Sequence, residues 1–384
     1  MQWDVFCQVI DNFGDIGVCW RLARDLSARG HTVRLWVDDP SALTWMAPEV
    51  DWTPSGAYPQ GRGHDGIVVH PWAQAADAAA VPEPGDVVIE AFGCNPPDPF
   101  LARMAARAEP PRWINLEYLS AEDYVARSHR LRSPVWSGPA SGLTKHFFYP
   151  GFTPDTGGLL REPGLIDRQD ALRLDAVRRQ AVLGQLGVAH QPGERVASVF
   201  CYGTAPLGTW LSALAGSPAE PTHVVLTQGH AQQLGSSWRA QWEATQGPLP
   251  AHLRLSVVPP LSQPGYDDLL ACCDLNLVRG EDSAVRALWA GRPHVWQIYE
   301  QDDGVHADKL DAFTARWTAD WPASLQASVR AWWQAWNRLG PWPDALPAWP
   351  DATGWARASL SSRDRLRTQT DLVTQLIAFV TGSG

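Results

Sequence analysis

Short apolar, β-branched runs recur along this chain. Each ends in a small or polar turn and leads into a stretch with helical spacing, and that alternation restricts the chain to an α/β architecture. The first run covers residues 3–10 (WDVFCQVI). The turn Asp11-Asn12-Phe13-Gly14-Asp15-Ile16-Gly17 follows it. Residues 18–29 then place Val18, Leu22, Ala23 and Leu26 on one helical face, Gly30 stops the helix, and residues 31–37 (HTVRLWV) form a second strand. This strand–turn–helix–strand unit begins a doubly wound parallel sheet. Residues 66–70, 86–90 and 112–116 continue it.

Residues 133–164 are rich in Gly, Pro and aromatics, and end the first set of elements. A helix is expected over 169–186. A second set of strands follows at 195–201, 223–227, 253–258 and 274–278, separated by helices. Beyond Trp317 the chain is helical, broken by prolines, and a last helix is expected over 364–380. The expected organisation is a Rossmann-like domain over 1–165 and a linker helix over 166–190. A second Rossmann-like domain then covers 191–362, and a terminal helix over 363–384 packs back on the first domain. Two facing Rossmann-like domains with a central cleft make the GT-B fold, although other two-lobed α/β proteins share the pattern.

The 384 residues suit two cores better than one. A net charge of −10 disfavours nucleic acid as a partner and favours a basic protein surface. No uncharged apolar run is long enough to cross a bilayer, and residues 1–15 lack a basic region followed by an apolar one. The expectation is a cytoplasmic monomer that binds no membrane. The six cysteines form no C-x-x-C pair, which suits reduced, buried thiols. The 21 tryptophans concentrate in the last quarter, where helix packing explains them better than sugar binding.

Five segments carry candidate chemistry. The first turn holds two carboxylates, Asp11 and Asp15, on a glycine-bearing strand–helix junction without G-x-G-x-x-G. Asp15 alone reads as a helix cap, but capping requires only one of the two. The second segment, Arg279-Gly280-Glu281-Asp282-Ser283, ends a strand and opens a helix. It offers free amides and a dipole to a diphosphate, or simply an Asp/Ser cap. Phe200 and Tyr202, beside Cys201, stand ready to stack on a base or to pack in the core. Residues 259–266 (PPLSQPGY) form a loop in which Gln263 reads a base edge. His306 and Lys309 touch phosphate or cap a helix. D-x-D, H-E-x-x-H and Cys/His clusters do not occur in the sequence, so metal chemistry has no visible basis.

Together the segments resemble the EarP family of protein-arginine rhamnosyltransferases, which act on bacterial elongation factor P. The resemblance lies in residues 3–7, 9–18 and 20–24, in 115–122 (NLEYLSAE), in Gly157-Gly158-Leu159, in 279–283 (RGEDS) and in 305–310 (VHADKL). It runs through most of the first 315 residues. It implies a GT-B fold, dTDP-β-L-rhamnose as donor, no cofactor or metal, and inversion to an α-linked rhamnosyl-arginine. The modified factor then rescues ribosomes stalled on polyproline. The family's essential aspartates fall on Asp11 and Asp15, with Asp15 the base. Its donor-binding residues fall on Phe200, Tyr202, Gln263, Arg279, Glu281, Asp282 and Ser283. Tyr266 stands in the thymidine pocket, where Pro260 and the Gln-Pro-Gly stretch depart from the family's usual pattern. Phe13 and Gly14 are assigned to the donor site, and Glu281 is also a catalytic candidate.

An arginine acceptor is a poor nucleophile because its guanidinium is protonated and its lone pairs are delocalised. Paired carboxylates can grip it, and one can take a proton as nitrogen attacks the anomeric carbon. Competing readings are a transferase of another nucleotide sugar and acceptor, a nucleotide-sugar epimerase, and a non-catalytic partner of translation factors.

Overall fold

The computed structural model describes residues 1–10, 13–53, 58, 60–63, 66–218, 220–300, 304–339 and 346–382. The chain divides into two compact units. The first is Met1–Glu162 together with Thr368–Gly384, and the second is Pro163–Arg367.

The first unit contains β1 (Gln2–Cys7), α1 (Gly14–Ala28), β2 (Thr32–Val37), α2 (Leu43–Met46), β3 (Asp51–Thr53), β4 (Gln60–Arg62) and β5 (Ile67–Pro71). It continues with α3 (Trp72–Ala76), β6 (Val87–Ala91), α4 (Asp98–Ala106), β7 (Arg112–Leu116), α5 (Tyr124–Ser128), β8 (Arg132–Pro134) and β9 (Thr144–Phe148). Among the described residues its strands form one sheet ordered β3-β4-β5-β2-β1-β6-β7-β9-β8. The strands from β5 to β9 in that order are parallel, and antiparallel strands close both sides. Central β1 is covered on both faces, as a parallel strand requires. Trp3, Val5 and Cys7 enter one core and Phe6 the other. Its one charge, buried Asp4, is matched by Arg34 at 2.6 and 2.7 Å, by Trp36 Nε1 at 2.8 Å and by the Gly85 amide at 2.7 Å.

The second unit contains α6 (Leu165–Leu174), α7 (Ala176–Gln185), β10 (Arg195–Val199), α8 (Leu207–Ala215), β11 (Thr222–Leu226), α9 (His230–Gln246) and β12 (Leu253–Val257). It continues with α10 (Gln263–Cys272), β13 (Leu275–Arg279), α11 (Glu281–Ala290), β14 (His294–Gln297), α12 (Val305–Trp317), α13 (Ala323–Trp336) and α14 (Ala352–Leu366). Its sheet is fully parallel, ordered β12-β11-β10-β13-β14. The expected linker helix over 166–190 is two helices. Asp175 breaks it by accepting the Val177 and Arg178 amides at 3.0 Å, which caps α7. Helix α6 packs on α10 and α11, and α7 packs on α10, so both belong to the second unit. Trp333, Trp336 and Trp355 are fully buried, and Trp333 stacks on Phe313 at 5.1 Å.

The chain returns to the first unit in α15 (Leu372–Thr381). The single helix expected over 364–380 is therefore split, because Asp371 starts a new one by accepting the Thr374 amide at 2.9 Å. Asp371 also pairs with Arg29 at 2.8 Å. The Leu372 amide donates to the Leu159 carbonyl at 2.9 Å, and the adjacent Gly158, at φ +72°, lies against the Thr370 backbone where a side chain has no room. Leu372, Val373, Leu376 and Val380 share a core with Ile16, Cys19, Leu22, Ala23 and Leu26 of α1. Leu376 is fully buried. Leu376→Ala is expected to destabilise the first unit by about 2–5 kcal/mol. Urea unfolding measures this, and an unchanged midpoint refutes it.

Candidate active site

Both sheets reverse their direction of winding beside the first strand of their unit, between β1 and β6 and between β10 and β13. In open α/β sheets ligands bind beyond the strand ends at such points. The expected donor residues gather at the second of them. β10 and β13 pair in register Ser198↔Asn276, reinforced by the buried hydrogen bond from Ser198 Oγ to Asn276 Oδ1 at 2.6 Å. The Phe200 amide extends the pairing to the Leu277 carbonyl at 2.8 Å.

Arg279, the last residue of β13, is buried at 7% exposure. Its guanidinium carbon lies 4.5 Å from the Phe200 ring centre and 4.6 Å from that of Tyr202. This cation between two rings fixes a positive charge at the switch point. The Tyr202 amide donates to Gln297 Oε1 at 2.8 Å, and Gln297 Nε2 donates to Thr204 Oγ1 at 3.2 Å, so β14 holds the loop after β10. Cys201 is no nucleophile here, because burial pushes its thiol up to about 12.

Gly280, at φ +69° and ψ 175°, turns the chain into α11 without a side-chain cap. Glu281, Asp282 and Ser283 occupy the first turn, so the cap reading for Asp282 and Ser283 does not hold. The segment expected as a loop over 259–266 turns helical at Gln263. Ser262 caps α10 by accepting the Gly265 amide at 3.3 Å, and Pro264 sits in its first turn. Gln263 is buried at 3% exposure, and Tyr266 meets the Phe200 ring edge-on at 5.9 Å. One turn into each helix, Asp267 and Arg286 form a bidentate pair at 2.8 and 2.9 Å with side chains 5% and 1% exposed.

In the first unit, α1 begins at Phe13, which caps it without a side-chain bond and meets Trp45 edge-on at 5.2 Å. Gly14 is the first helical residue. Asp15 is not the cap. It lies in the first turn, where the helix dipole favours negative charge, and its Oδ2 accepts the Ile10 amide at 2.8 Å. The sequence places Asp15 at an open turn, whereas the structure buries it to 3% exposure because the carboxylate folds back over the strand end. Asp11 lies outside the described residues.

The fold thus brings Phe200, Tyr202, Gln263, Tyr266, Arg279, Glu281, Asp282 and Ser283 to one edge of the second unit, and Phe13, Gly14 and Asp15 to the corresponding edge of the first. Sequence reasoning missed Gln297, which is signalled only by a polar residue closing the apolar strand HVWQ. It also missed the ion pair of Lys309 with Glu281 at 2.6 Å, where a cap or a phosphate contact was expected. Glu117 went unassigned too. It follows β7, and burial raises its carboxyl against the hydrogen bond from Asn115.

A family model described as elongation factor P (EF-P) rhamnosyltransferase EarP matches residues 3–381. A protein-arginine rhamnosyltransferase of Pseudomonas putida is 43% identical over 99% of both chains. One from Neisseria meningitidis serogroup B is 39% identical over 80% of this chain and 77% of its own. A solved structure described as the basis for EarP-mediated arginine glycosylation of translation elongation factor EF-P is 31% identical. It has a TM-score of 0.61 and covers 100% of this chain and 99% of its own. The spinosyn rhamnosyltransferase SpnG, complexed with thymidine diphosphate, shares the fold at 14% identity and a TM-score of 0.51, covering 99% of this chain and 100% of its own. The two parallel-sheet units are those of the GT-B class.

Asp267→Ala is expected to destabilise the second unit by about 3–5 kcal/mol, because it strands the Arg286 charge in the interior. Denaturant unfolding tests this, and a loss below about 1 kcal/mol, typical of an exposed pair, contradicts it.

Proposed function

The chain belongs to the EarP family of elongation factor P rhamnosyltransferases, and from that premise we propose that it transfers L-rhamnose from dTDP-β-L-rhamnose to an arginine of elongation factor P. The observation that carries the donor assignment is the Arg279 guanidinium held between Phe200 and Tyr202 beside the N-terminus of α11. Fixed cations and helix amides supply the positive potential that a departing diphosphate requires, so the reading assigns no metal and no further cofactor. Gln263 and Tyr266, at the start of α10, receive the thymine. Phe13 and Gly14 complete the donor site, and Glu281 supports the sugar.

The reaction is a single displacement with inversion. A guanidinium nitrogen bonds to the anomeric carbon, the bond from that carbon to the β-phosphate oxygen breaks, and the displaced proton passes to Asp15. Asp11 orients the arginine. The Ile10 amide fixes one Asp15 oxygen, which holds the base in place before the acceptor arrives. Six free, buried cysteines support a reducing, cytoplasmic setting. The modified factor relieves ribosomes stalled on polyproline.

The test is the intact mass of elongation factor P after incubation with enzyme and dTDP-rhamnose. The expected result is one added deoxyhexose, located on arginine by fragmentation. Donor consumption with unmodified protein would favour an epimerase, and labelling from a UDP- or GDP-sugar alone would overturn the donor assignment. Asp15→Asn is expected to keep dTDP affinity while lowering turnover roughly 10²–10⁴-fold. Wild-type turnover in that variant removes Asp15 as the base.

A further inference from the structure

The first turn of α11 places two carboxylates, Glu281 and Asp282, where the donor reading brings a diphosphate. The helix terminus attracts an anion, a carboxylate beside it repels one to the extent that its charge is not balanced, and partial burial strengthens that repulsion. Arg279 supplies one cation, stacked on the faces of Phe200 and Tyr202. A further cation comes from a different helix. Gly304, at φ +76°, turns the chain into α12, and Lys309, one turn further on, donates Nζ to Glu281 Oε1 at 2.6 Å. The two side chains are 18% and 19% exposed, so the pair is largely shielded from solvent.

Resting on the donor reading above, we propose that Lys309 is a positioning residue for the donor. It neutralises Glu281 and holds that carboxylate off the phosphates, so that the N-terminus of α11 accepts a nucleoside diphosphate. Lys309 acts through Glu281 rather than on the sugar.

Calorimetric titration of the full-length enzyme with dTDP, and separately with uncharged thymidine, tests this. Lys309→Met is expected to weaken dTDP binding about tenfold by leaving Glu281 beside the diphosphate without its lysine counter-charge. It should leave thymidine binding within about twofold, because thymidine brings no phosphate charge. Lys309→Arg keeps the cation and should bind dTDP within about threefold of wild type. The decisive variant combines Lys309→Met with Glu281→Gln. Because dTDP lacks the rhamnose that Glu281 supports, removing that negative charge should restore most of the lost dTDP affinity, a non-additive result that a purely structural lysine does not give. The inference is overturned if Lys309→Met binds dTDP like wild type, if thymidine binding falls in parallel, or if the double variant stays as weak as the single one. Failure of the wild type to bind dTDP overturns the donor reading itself, and this inference with it.

Discussion

The buried pair between Asp267 and Arg286 is the constraint on which the second unit's edge depends. Its partners sit one turn inside α10 and α11, the two helices whose first residues are the expected base-binding and phosphate-binding groups. Apolar contacts alone tolerate sliding and rotation of one helix against its neighbour. A bidentate guanidinium–carboxylate pair does not, because both hydrogen bonds are lost together and two charges are then left in the interior. The pair therefore sets the relative register of Gln263 and Glu281 more than it adds to net stability. Arg279 is fixed by a different means, two aromatic faces, which hold its charge in place while leaving the guanidinium edge for other partners.

Nine strands were legible in the sequence because they are short, largely apolar parallel strands, whereas β14, the short antiparallel-paired β3, β4 and β8, and β9 inside the Gly- and Pro-rich stretch went unread. Residues 112–116 match β7, and residues 195–201 overrun β10 by two. The helix boundaries were less legible where a single capping side chain decides them. Asp175 ends one helix and starts the next, and Ser262 and Asp371 each start a helix, by one or two hydrogen bonds that leave no periodic trace. Such residues are visible in the sequence, but many other Asp and Ser residues look the same.

The site divides in the same way. Arg279 to Ser283 could be placed because a strand end, a glycine and a helix start are local features. The Lys309–Glu281 and Asp267–Arg286 pairs and the part played by Gln297 escaped because they depend on partners far along the chain. The burial of Asp15 escaped for a subtler reason. Its hydrogen bond to the Ile10 amide is local, but a sequence does not say whether a carboxylate in a turn points out to water or back over the strand it follows.

The first unit is finished by the last residues of the chain, with the whole of the second unit inserted before them. Translation proceeds at about 5–20 residues per second, so roughly 10–40 s separate the emergence of Glu162 from that of α15. Throughout that interval the flank of α1 formed by Ile16, Leu22 and Leu26 lacks the helix that covers it. The later unit can complete its core while the earlier one is still open. The nascent protein therefore presents a sticky apolar stripe to its surroundings for that whole interval, and a folding assistant that shields such stripes has a defined moment and place to act.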